Sequence, residues 1–347
     1  MKSAVFASIR EGSGKTSVLA GIMTALKNRY GYIKPLGDRL IYKRKRNRDY
    51  DSNLMVDLFG FTEDAENITL GFDHSKMRYM YNDESIKNAI SVMIEKAGNG
   101  KDGVFIEAGK DIFYGASVKL DPLSLARHTN SSLVLMASGE NESIMDDLTF
   151  IKRNLDMKDI DLSPVIINKV HDIDEFEKLY LKEIEDMGFR ILGILPYKEQ
   201  LTNHTVNSLA ERLYAKVIAG EKGLYKTIKN IFVGAMSTGE SLRNPLFNKE
   251  NKFLITSGDR DDMIIAALES DSVGVLLTNN ILPPSQIISI ANEKNIPLLL
   301  VAMDTFTAAR RVSNMETLLT KDNHEMIQLL SQMAEKYMNI EDIFLSN

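Results

Sequence analysis

The stretch Val5–Thr16, VFASIREGSGKT, decides the fold of the first half of the chain. A short apolar run leads into a glycine-containing turn, which ends in Gly14-Lys15-Thr16 and opens an amphipathic pattern from Val18 onward. A strand, a glycine-rich turn, a lysine, a hydroxyl and a helix, in that order, are what a phosphate-binding loop requires. The stretch therefore predicts a phosphate site at a helix N-terminus.

The residues of this loop offer different groups to a nucleotide. The glycines permit open backbone conformations, the lysine neutralises phosphate charge, and the threonine hydroxyl is a ligand for Mg²⁺. Ile9 stands where the usual pattern has its first glycine, which favours a loop that turns slightly later, at Gly12. The residues expected to bind nucleotide are Gly12, Ser13, Gly14, Lys15, Thr16 and Ser17.

The composition narrows the class of protein. A length of 347 residues favours two domains over one. A net charge of −6, with 26% charged residues, argues against a nucleic-acid partner. The absence of cysteine excludes disulfides, thiolate metal sites and cysteine nucleophiles. The apolar runs are too short for a signal peptide or a membrane span, so we expect a cytoplasmic protein with no membrane partner.

One local feature departs from this acidic background. Residues 43–48, KRKRNR, carry five positive charges. Such a run is typical of a solvated loop. Its proximity to Lys34 and Asp51 also allows an arm that attracts an anionic ligand.

Short apolar runs alternate with helical patterns along the first half of the chain. The runs have the length and β-branched content of buried parallel strands. The alternation predicts right-handed crossovers and a doubly wound, mostly parallel α/β sheet. The predicted strands are 4–9, 31–34, 103–107, 132–137, 165–168 and 191–195, and the predicted helices are 15–28, 83–97, 144–155 and 174–186.

A second, smaller alternation follows and predicts a second α/β domain. Its strands are 228–235, 253–256, 273–277 and 297–301, and its helices are 261–270, 285–293 and 305–312. A polar stretch at 219–224 lies near the join, while a helical pattern at 206–213 suits either side. We place the domains at 1–203 and 204–315, followed by a helical tail at 316–347.

Several motifs resemble known families. VFASIREGSGKT, YIKPLGDR, VFIEAGKD and VIINKV resemble the dethiobiotin synthetase branch of P-loop proteins, which is related to cobyrinic acid amide synthases and MinD-type ATPases. IEAGKDIFYGASVKLDPLSLA, VGAMS and LITSGDRDD resemble the two-domain module at the N-terminus of long bacterial phosphotransacetylases, whose second part is the DRTGG domain. The resemblance reaches to about Val312 and implies a P-loop NTPase domain followed by a smaller α/β DRTGG domain.

The first resemblance implies roles for residues outside the loop. Lys34 takes the place of a lysine at the phosphate and substrate junction, so that Lys15 and Lys34 are the expected catalytic lysines. Glu107 matches the acid of the magnesium site, which Thr16 completes. Asp51 is either a third magnesium ligand or a helix cap, with Asp49 as the fallback.

The base of the nucleotide has its own expected contacts. Asn168 takes the place where the family hydrogen-bonds a base edge, and Pro196 would flank the ring. The sequence Asn168-Lys-Val-His-Asp172 departs from the NKxD pattern of guanine-specific proteins, which favours adenine. The implied cofactors are ATP and Mg²⁺.

The second domain has one candidate ligand site. Gly258, Asp259 and Arg260 lie between a predicted strand and a predicted helix, and Thr305 lies at the equivalent edge of a later strand. These residues line a pocket for a small molecule or nucleotide, or they cap two helices in a dimer-forming domain. The two readings stay open at this point, with the caps preferred.

Three functions follow from these patterns. The chain is an ATPase or nucleotide-dependent regulator coupled to a ligand-sensing or dimerising DRTGG domain, an ATP-dependent synthetase acting on a small carboxylate or amine, or a binding module that does not hydrolyse ATP. The expected partners are a nucleotide, an unidentified small molecule and a second copy of the chain. Acetyl transfer is not expected of these residues by themselves.

Overall fold

The chain folds into two compact units, one built up to Lys198 together with the segment from His324 onward, the other from Glu199 to Asn323. This computed structural model describes residues 2–27, 29–43, 45–61, 67–155, 160–161 and 164–344. The first unit thus ends a few residues before the predicted boundary at 203, because residues 199–202 already form a turn that belongs with the second unit.

The first unit is built on a parallel six-stranded sheet in the order β2-β5-β1-β6-β7-β8. Its strands, with a separate hairpin of β3 and β4, are β1 (Lys2–Ser8), β2 (Tyr30–Ile33), β3 (Leu40–Lys43), β4 (Arg46–Asp49), β5 (Gly103–Glu107), β6 (Ser132–Ser138), β7 (Pro164–Val170) and β8 (Arg190–Pro196). The order reverses at β1, so the groove at the carboxyl ends of β1 and its neighbours is where such sheets bind ligands.

Within the described residues, eight helices connect these strands. They are α1 (Lys15–Ala25), α2 (Tyr50–Phe59), α3 (His74–Met80), α4 (Asp83–Ala97), α5 (Pro122–Thr129), α6 (Asn141–Asn154), α7 (Ile173–Phe176) and α8 (Lys182–Asp186), the last two joined by a π-helical turn at 177–181. The core lies along the central strands, where Phe6 and Phe105 are fully buried and meet edge to face at 5.5 Å.

The basic run lies in the β3–β4 hairpin, which the sequence patterns did not predict. Its turn passes through Lys45 at φ 63°, and Arg48 is buried rather than solvated. Arg44 and the side chain of Lys43 lie outside the described residues. The hairpin ends at Asp49, which caps the start of α2.

The second unit has a five-stranded sheet in the order β10-β15-β14-β13-β12, in which only the β10–β15 pair is antiparallel. The strands of this sheet are β10 (Lys216–Ala219), β12 (Asn230–Val233), β13 (Lys252–Ser257), β14 (Ser272–Thr278) and β15 (Leu298–Leu300). A separate two-stranded pair is formed by β9 (His204–Thr205) and β11 (Thr227–Ile228). The helices of the second unit are α9 (Val206–Arg212), α10 (Thr238–Arg243), α11 (Asp261–Leu268), α12 (Ser285–Lys294) and α13 (Thr305–Ser313).

The predicted strand at 228–235 is divided in the structure. β11 pairs with β9, whereas β12 pairs with β13, so the chain changes partner at Lys229. The helical pattern at 206–213, which suited either side, forms α9 of the second unit, where Val206 and Leu209 pack into its core.

The final helix, α14 (His324–Tyr337), returns to the first unit and packs on α1. The sequence placed it in a separate tail, because nothing local shows which surface its apolar face covers. The close approach depends on Gly21, where a Cβ would lie 2.6 Å from the Leu330 carbonyl oxygen. Phe344, beyond α14, stacks on Tyr30 with ring centroids 4.9 Å apart.

The fold class predicted from the sequence, a mostly parallel α/β sheet followed by a smaller α/β domain, is confirmed. Among the described helices, none combines the length and the hydropathy that a membrane span needs.

Candidate nucleotide site

The loop after β1 begins while the chain is still part of the sheet. The amide of Ile9 donates to the Met136 carbonyl at 3.0 Å and continues the β1–β6 pairing, in which Ser8 lies opposite Met136. Ile9 is buried at 7% exposure. Ile9 thus continues the hydrogen bonding of the strand with a buried apolar side chain, and the first glycine of the turn is Gly12.

Two glycines give the loop its shape. Gly12 and Gly14 have φ of 81° and 86°, a region that other residues enter only with strain. Gly14 is also the N-cap of α1, and a Cβ there would lie 2.7 Å from Nδ2 of Asn168. Both the backbone conformation and the close packing against β7 therefore require glycine at position 14.

The carbonyl groups of the loop are tied to the end of β7. Nδ2 of Asn168 donates to the Ser13 carbonyl at 2.8 Å, and Nζ of Lys169 donates to the Gly12 carbonyl at 2.7 Å. In a trans peptide the C=O and the following N–H point in opposite directions. The amides of Ser13 and Gly14 therefore point away from these side chains, which is the orientation that an anion-binding loop needs.

Lys15 opens α1 with its side chain buried at 6% exposure. Its Nζ donates to the Gly109 carbonyl at 2.5 Å, just beyond the end of β5. Burial lowers the pKa of Lys15, against the attraction of Glu107. Ser17 follows in the first turn of α1 and is half-buried.

Glu107, the last residue of β5, is the buried acid at the centre of the site, with 1% exposure. Its Oε1 accepts from the Thr16 hydroxyl at 2.7 Å and its Oε2 accepts from the Tyr32 hydroxyl at 2.8 Å. Burial raises the pKa of Glu107 to about 7, opposed by Lys34 and reinforced by Asp51. The predicted metal pair, Thr16 and Glu107, is thus brought together, and Tyr32 orients it.

Lys34 lies inside a group of carboxylates and is 1% exposed. Its Nζ is 2.5 Å from Asp51, 2.8 Å from Asp38, 3.6 Å from Asp49 and 4.0 Å from Glu107. Burial opposes the charged amine, but the carboxylates of Asp51 and Asp49 raise the pKa of Lys34 well above its usual range. One ammonium therefore links the predicted acid Asp51 to Glu107.

Asp49 and Asp51 have different roles. Asp49 caps α2 by accepting from the Ser52 amide at 2.9 Å, and it also accepts from the Asp38 amide at 3.1 Å. Asp51 lies in the first turn of α2 and pairs with Lys34, so it is not the cap. Carboxylate oxygens of Asp38, Asp49 and Asp51 lie within 4.8 Å of one another, a grouping that in geometry suits a cation and that the Lys34 ammonium compensates in part.

The predicted base contacts lie at the ends of β7 and β8. Pro196 ends β8 opposite Val170. Asn168 lies nearer the loop, where its Nδ2 bonds to Ser13 and its Oδ1 accepts from the Lys169 amide at 2.9 Å. In this geometry the Asn168 amide positions the loop.

The comparisons with known proteins follow this geometry. A family model described as an AAA domain matches residues 2–205, more than half of the chain. The chain belongs to this P-loop family. A DRTGG domain model matches residues 208–315, which confirms the resemblance to a dethiobiotin synthetase-like P-loop domain joined to a DRTGG domain. The first unit therefore contains the P-loop domain, of a nucleotide-binding type, and the second is the DRTGG domain.

Curated relatives of this chain include phosphate acetyltransferases. Those of Pseudomonas aeruginosa and Pseudomonas putida are each 21% identical, over 95% and 94% of this chain and 50% and 49% of their own length. The chain spans about half the length of these relatives. Among solved structures, MinD of Aquifex aeolicus is 19% identical over 58% of this chain and 84% of its own, with a TM-score of 0.33.

The DRTGG domain holds the candidate residues of the second ligand site at the carboxyl edge of its sheet. A Cβ at Gly258 would lie 1.8 Å from the Ile281 carbonyl oxygen, so backbone packing requires that glycine. Arg260, not Asp259, occupies the N-cap of α11, and its guanidinium bonds to the Met236 carbonyl at 3.0 Å. The expectation that Asp259 caps this helix is wrong, because the helix begins two residues later.

The second helix cap in the DRTGG domain comes from Asp304, the residue before the predicted Thr305. Asp304 caps α13 by accepting from the Thr307 amide at 2.9 Å. Thr305 shares a hydroxyl hydrogen bond of 2.7 Å with Thr278. A ligand role for Gly258, Asp259, Arg260 and Thr305 stays a prediction.

Three residues near the P-loop were not predicted from the sequence. Tyr32 lies on β2, two residues before Lys34. The alternation of side chains along a strand places the two residues on the same face, but nothing in the sequence indicated that the Tyr32 hydroxyl bonds within the site. Asp38 comes from the loop after β2 and reaches Lys34 only through the fold. Lys169 adopts φ 65°, a conformation that the sequence does not reveal.

The carboxylate group around Lys34 makes a test of the site possible. Lys34→Met leaves buried carboxylates uncompensated, which costs about 3 kcal/mol in the free energy of unfolding near pH 8. In the wild type the pKa of Asp51 is lowered and that of Lys34 is raised. The ion pair therefore contributes its full stabilisation at every pH between these two pKa values. The deficit of the variant should shrink toward pH 5 as the carboxylates take up protons.

Thermal unfolding of the purified protein at pH 8 and pH 5 measures this effect. The matched control is Lys87→Met, which removes an exposed lysine of α4 and should stay within about 0.5 kcal/mol of the wild type. A Lys34→Met protein as stable as the control at pH 8 would show that the carboxylates do not depend on this ammonium.

Proposed function

We propose that the P-loop domain binds ATP together with Mg²⁺ and that this binding regulates the protein through its DRTGG domain. The observation that carries the proposal is the 2.7 Å contact between the hydroxyl of Thr16 and the carboxylate of Glu107, directly after Lys15 at the start of α1. A hydroxyl and a carboxylate at this place, beside a helix N-terminus, are the parts from which a magnesium-phosphate site is built.

The donor set fits Mg²⁺. Both groups offer oxygen, the ligand that this hard cation prefers. Asp51 is the proposed further acid of the site, although its carboxylate is held by Lys34 at 2.5 Å, so its use as a direct ligand requires the ammonium to move. Thr16 and Glu107 would hold a bound Mg²⁺, which would supply positive charge against the negative charge that develops in phosphoryl transfer.

The other loop residues complete the phosphate site. The amides of Ser13 and Gly14, aimed away from β7, donate to phosphate oxygens, and the N-terminus of α1 adds the favourable end of its dipole. Lys15 is buried, so its ammonium acts in a low dielectric, where its attraction for phosphate is stronger than in water.

The charges around Lys34 favour a regulator over a synthetase that acts on a carboxylate. One ammonium faces Asp38, Asp49, Asp51 and Glu107, so this corner is acidic whenever those groups are ionised. A carboxylate substrate would be repelled there. The same charges suit an amine, so an ATP-dependent synthetase acting on an amine is the second candidate.

The remaining expectations stay predictions. Adenine as the base, a homodimer and a cytoplasmic location follow from the sequence and the family resemblance. A module that binds nucleotide without hydrolysis differs from the proposed regulator only in that it releases no phosphate. A single phosphate-release assay, with and without added metabolites, therefore separates the three functions.

The proposal predicts that Lys15→Ala loses most of its affinity for Mg-ATP. Removal of a hydrogen bond to a charged group costs about 1.5–3 kcal/mol, or about 10- to 150-fold in Kd. Calorimetric titration gives the Kd, and phosphate release gives turnover. Lys27→Ala, an exposed lysine just beyond α1, is the control.

The outcome of these assays separates the candidates. Slow phosphate release by the wild type without a metabolite, abolished in Lys15→Ala, supports the ATPase form of the regulator, whereas release only in the presence of an amine supports the synthetase. Wild-type protein that binds no nucleotide with Mg²⁺ refutes the proposed function.

Glu107 predicts a pH dependence of metal binding. Its pKa of about 7 means that the carboxyl carries a proton below neutrality, and a metal ligand must lose it. The affinity for Mg-ATP should therefore rise with pH through about 7, and binding at pH 6.5 should release a proton from Glu107.

Calorimetry in two buffers of different ionisation enthalpy measures the protons released. The titration of ATP itself is common to the wild type and Glu107→Gln, so the difference between them isolates Glu107. Equal proton release by both proteins, with the same pH profile of Kd, would contradict a ligand role for Glu107.

A further inference from the structure

An aromatic pair lies at the carboxyl edge of the first sheet, beyond the phosphate loop. The rings of His171 and Tyr197 stack with centroids 4.5 Å apart and planes inclined by 28°. Both residues are exposed, Tyr197 at 37%. The Tyr197 amide donates to the Val170 carbonyl at 2.7 Å, which fixes the two rings side by side at the ends of β7 and β8.

The pair is linked to the phosphate loop through a short segment of chain. His171 is two residues after Lys169 and three after Asn168, the side chains that hold the carbonyls of Gly12 and Ser13. The strand order is β1-β6-β7-β8, so three spacings of about 4.8 Å place β8 about 14 Å from β1. The aromatic pair is thus displaced sideways from the loop, as the base of a nucleotide is displaced from its phosphates.

The side chain expected to read the base is committed to the loop. Asn168 donates to Ser13 and accepts from Lys169, and it is 7% exposed. These contacts use one N–H and one carbonyl lone pair of the amide and hold it against the loop. An amide in this position offers no ring face, so stacking on a base must come from another group at this edge.

We propose that His171 is a specificity residue, whose ring stacks on the purine base of a nucleoside triphosphate while Tyr197 supports it from behind. This inference rests on the proposed nucleotide binding and adds the residue that recognises the base. Stacking on an aromatic face tolerates different bases, but a larger ring system gains more contact. ATP and GTP are therefore bound more tightly than CTP and UTP, and the preference for purines originates at His171.

The test compares nucleotides with inorganic tripolyphosphate, which fills the loop but has no base. His171→Ala should weaken the binding of ATP, in the presence of Mg²⁺, by about 5- to 150-fold, the range that stacking of one base on an aromatic ring provides. Its affinity for tripolyphosphate should equal that of the wild type. His171→Phe should retain most of the ATP affinity, because it keeps a ring to stack on.

Two further variants complete the experiment. Tyr197→Ala removes the support and should weaken ATP by less than His171→Ala, again without effect on tripolyphosphate. His324→Ala, an exposed histidine at the start of α14, is the control and should leave both affinities unchanged.

The results distinguish this inference from the proposed function. Equal ATP affinity in the wild type and His171→Ala overturns the inference, as does a loss that affects ATP and tripolyphosphate equally, since the latter indicates a role in shaping the loop. A wild-type protein that binds neither ATP nor tripolyphosphate refutes the proposed function itself. Loss for ATP alone, restored by His171→Phe, supports the stacking role.

Discussion

The candidate nucleotide site depends on one buried carboxylate, that of Glu107 at the end of β5. Its two carboxylate oxygens accept hydrogen bonds from the hydroxyls of Thr16 on α1 and Tyr32 on β2. A single side chain therefore links the helix that follows the phosphate loop to the neighbouring strand β2. Burial of a charge is costly unless hydrogen bonds and opposite charges offset it. The hydroxyls provide the hydrogen bonds and Lys34, 4.0 Å away, provides the charge. The pKa of Glu107 is raised, so these contacts offset the cost of burying its charge only in part. A cation bound beside it would stabilise the ionised carboxylate further.

Much of the P-loop could be predicted because its signals are local. The apolar run of β1, the glycines and the helical pattern after Thr16 are all contained in one stretch of sequence. Ile9 departs from the usual motif, but its amide continues the pairing with β6 and its side chain is buried, so the turn comes later, at Gly12. Glu107 could be predicted because it ends a strongly apolar strand, and such positions face the ligand groove of a parallel sheet.

The contacts among the remaining site residues could not be predicted, because these residues come from distant segments. Asp38 follows β2, Asp49 ends an unpredicted hairpin, and the two meet at Lys34 only in the folded chain. The Asp49 cap also decides the role of Asp51, a choice that the sequence left open. Likewise α14 reads as an amphipathic tail until the structure shows its contact with α1 at Gly21.

The order of the chain also constrains how the protein works. The DRTGG domain lies between β8, whose end carries Pro196, and α14, which packs on the helix that begins with Lys15 and Thr16. Both connections of this domain therefore lead directly into elements of the P-loop domain.

The most direct measurement is a crystal structure of the protein grown with a non-hydrolysable ATP analogue and Mn²⁺, whose anomalous scattering locates the metal. The account predicts one metal about 2.1 Å from the hydroxyl oxygen of Thr16, the distance typical of magnesium sites, with Glu107 as its direct or water-linked acid and the triphosphate against the amides of Ser13 and Gly14. A metal found instead among Asp38, Asp49 and Asp51, with the loop free of phosphate, would contradict it.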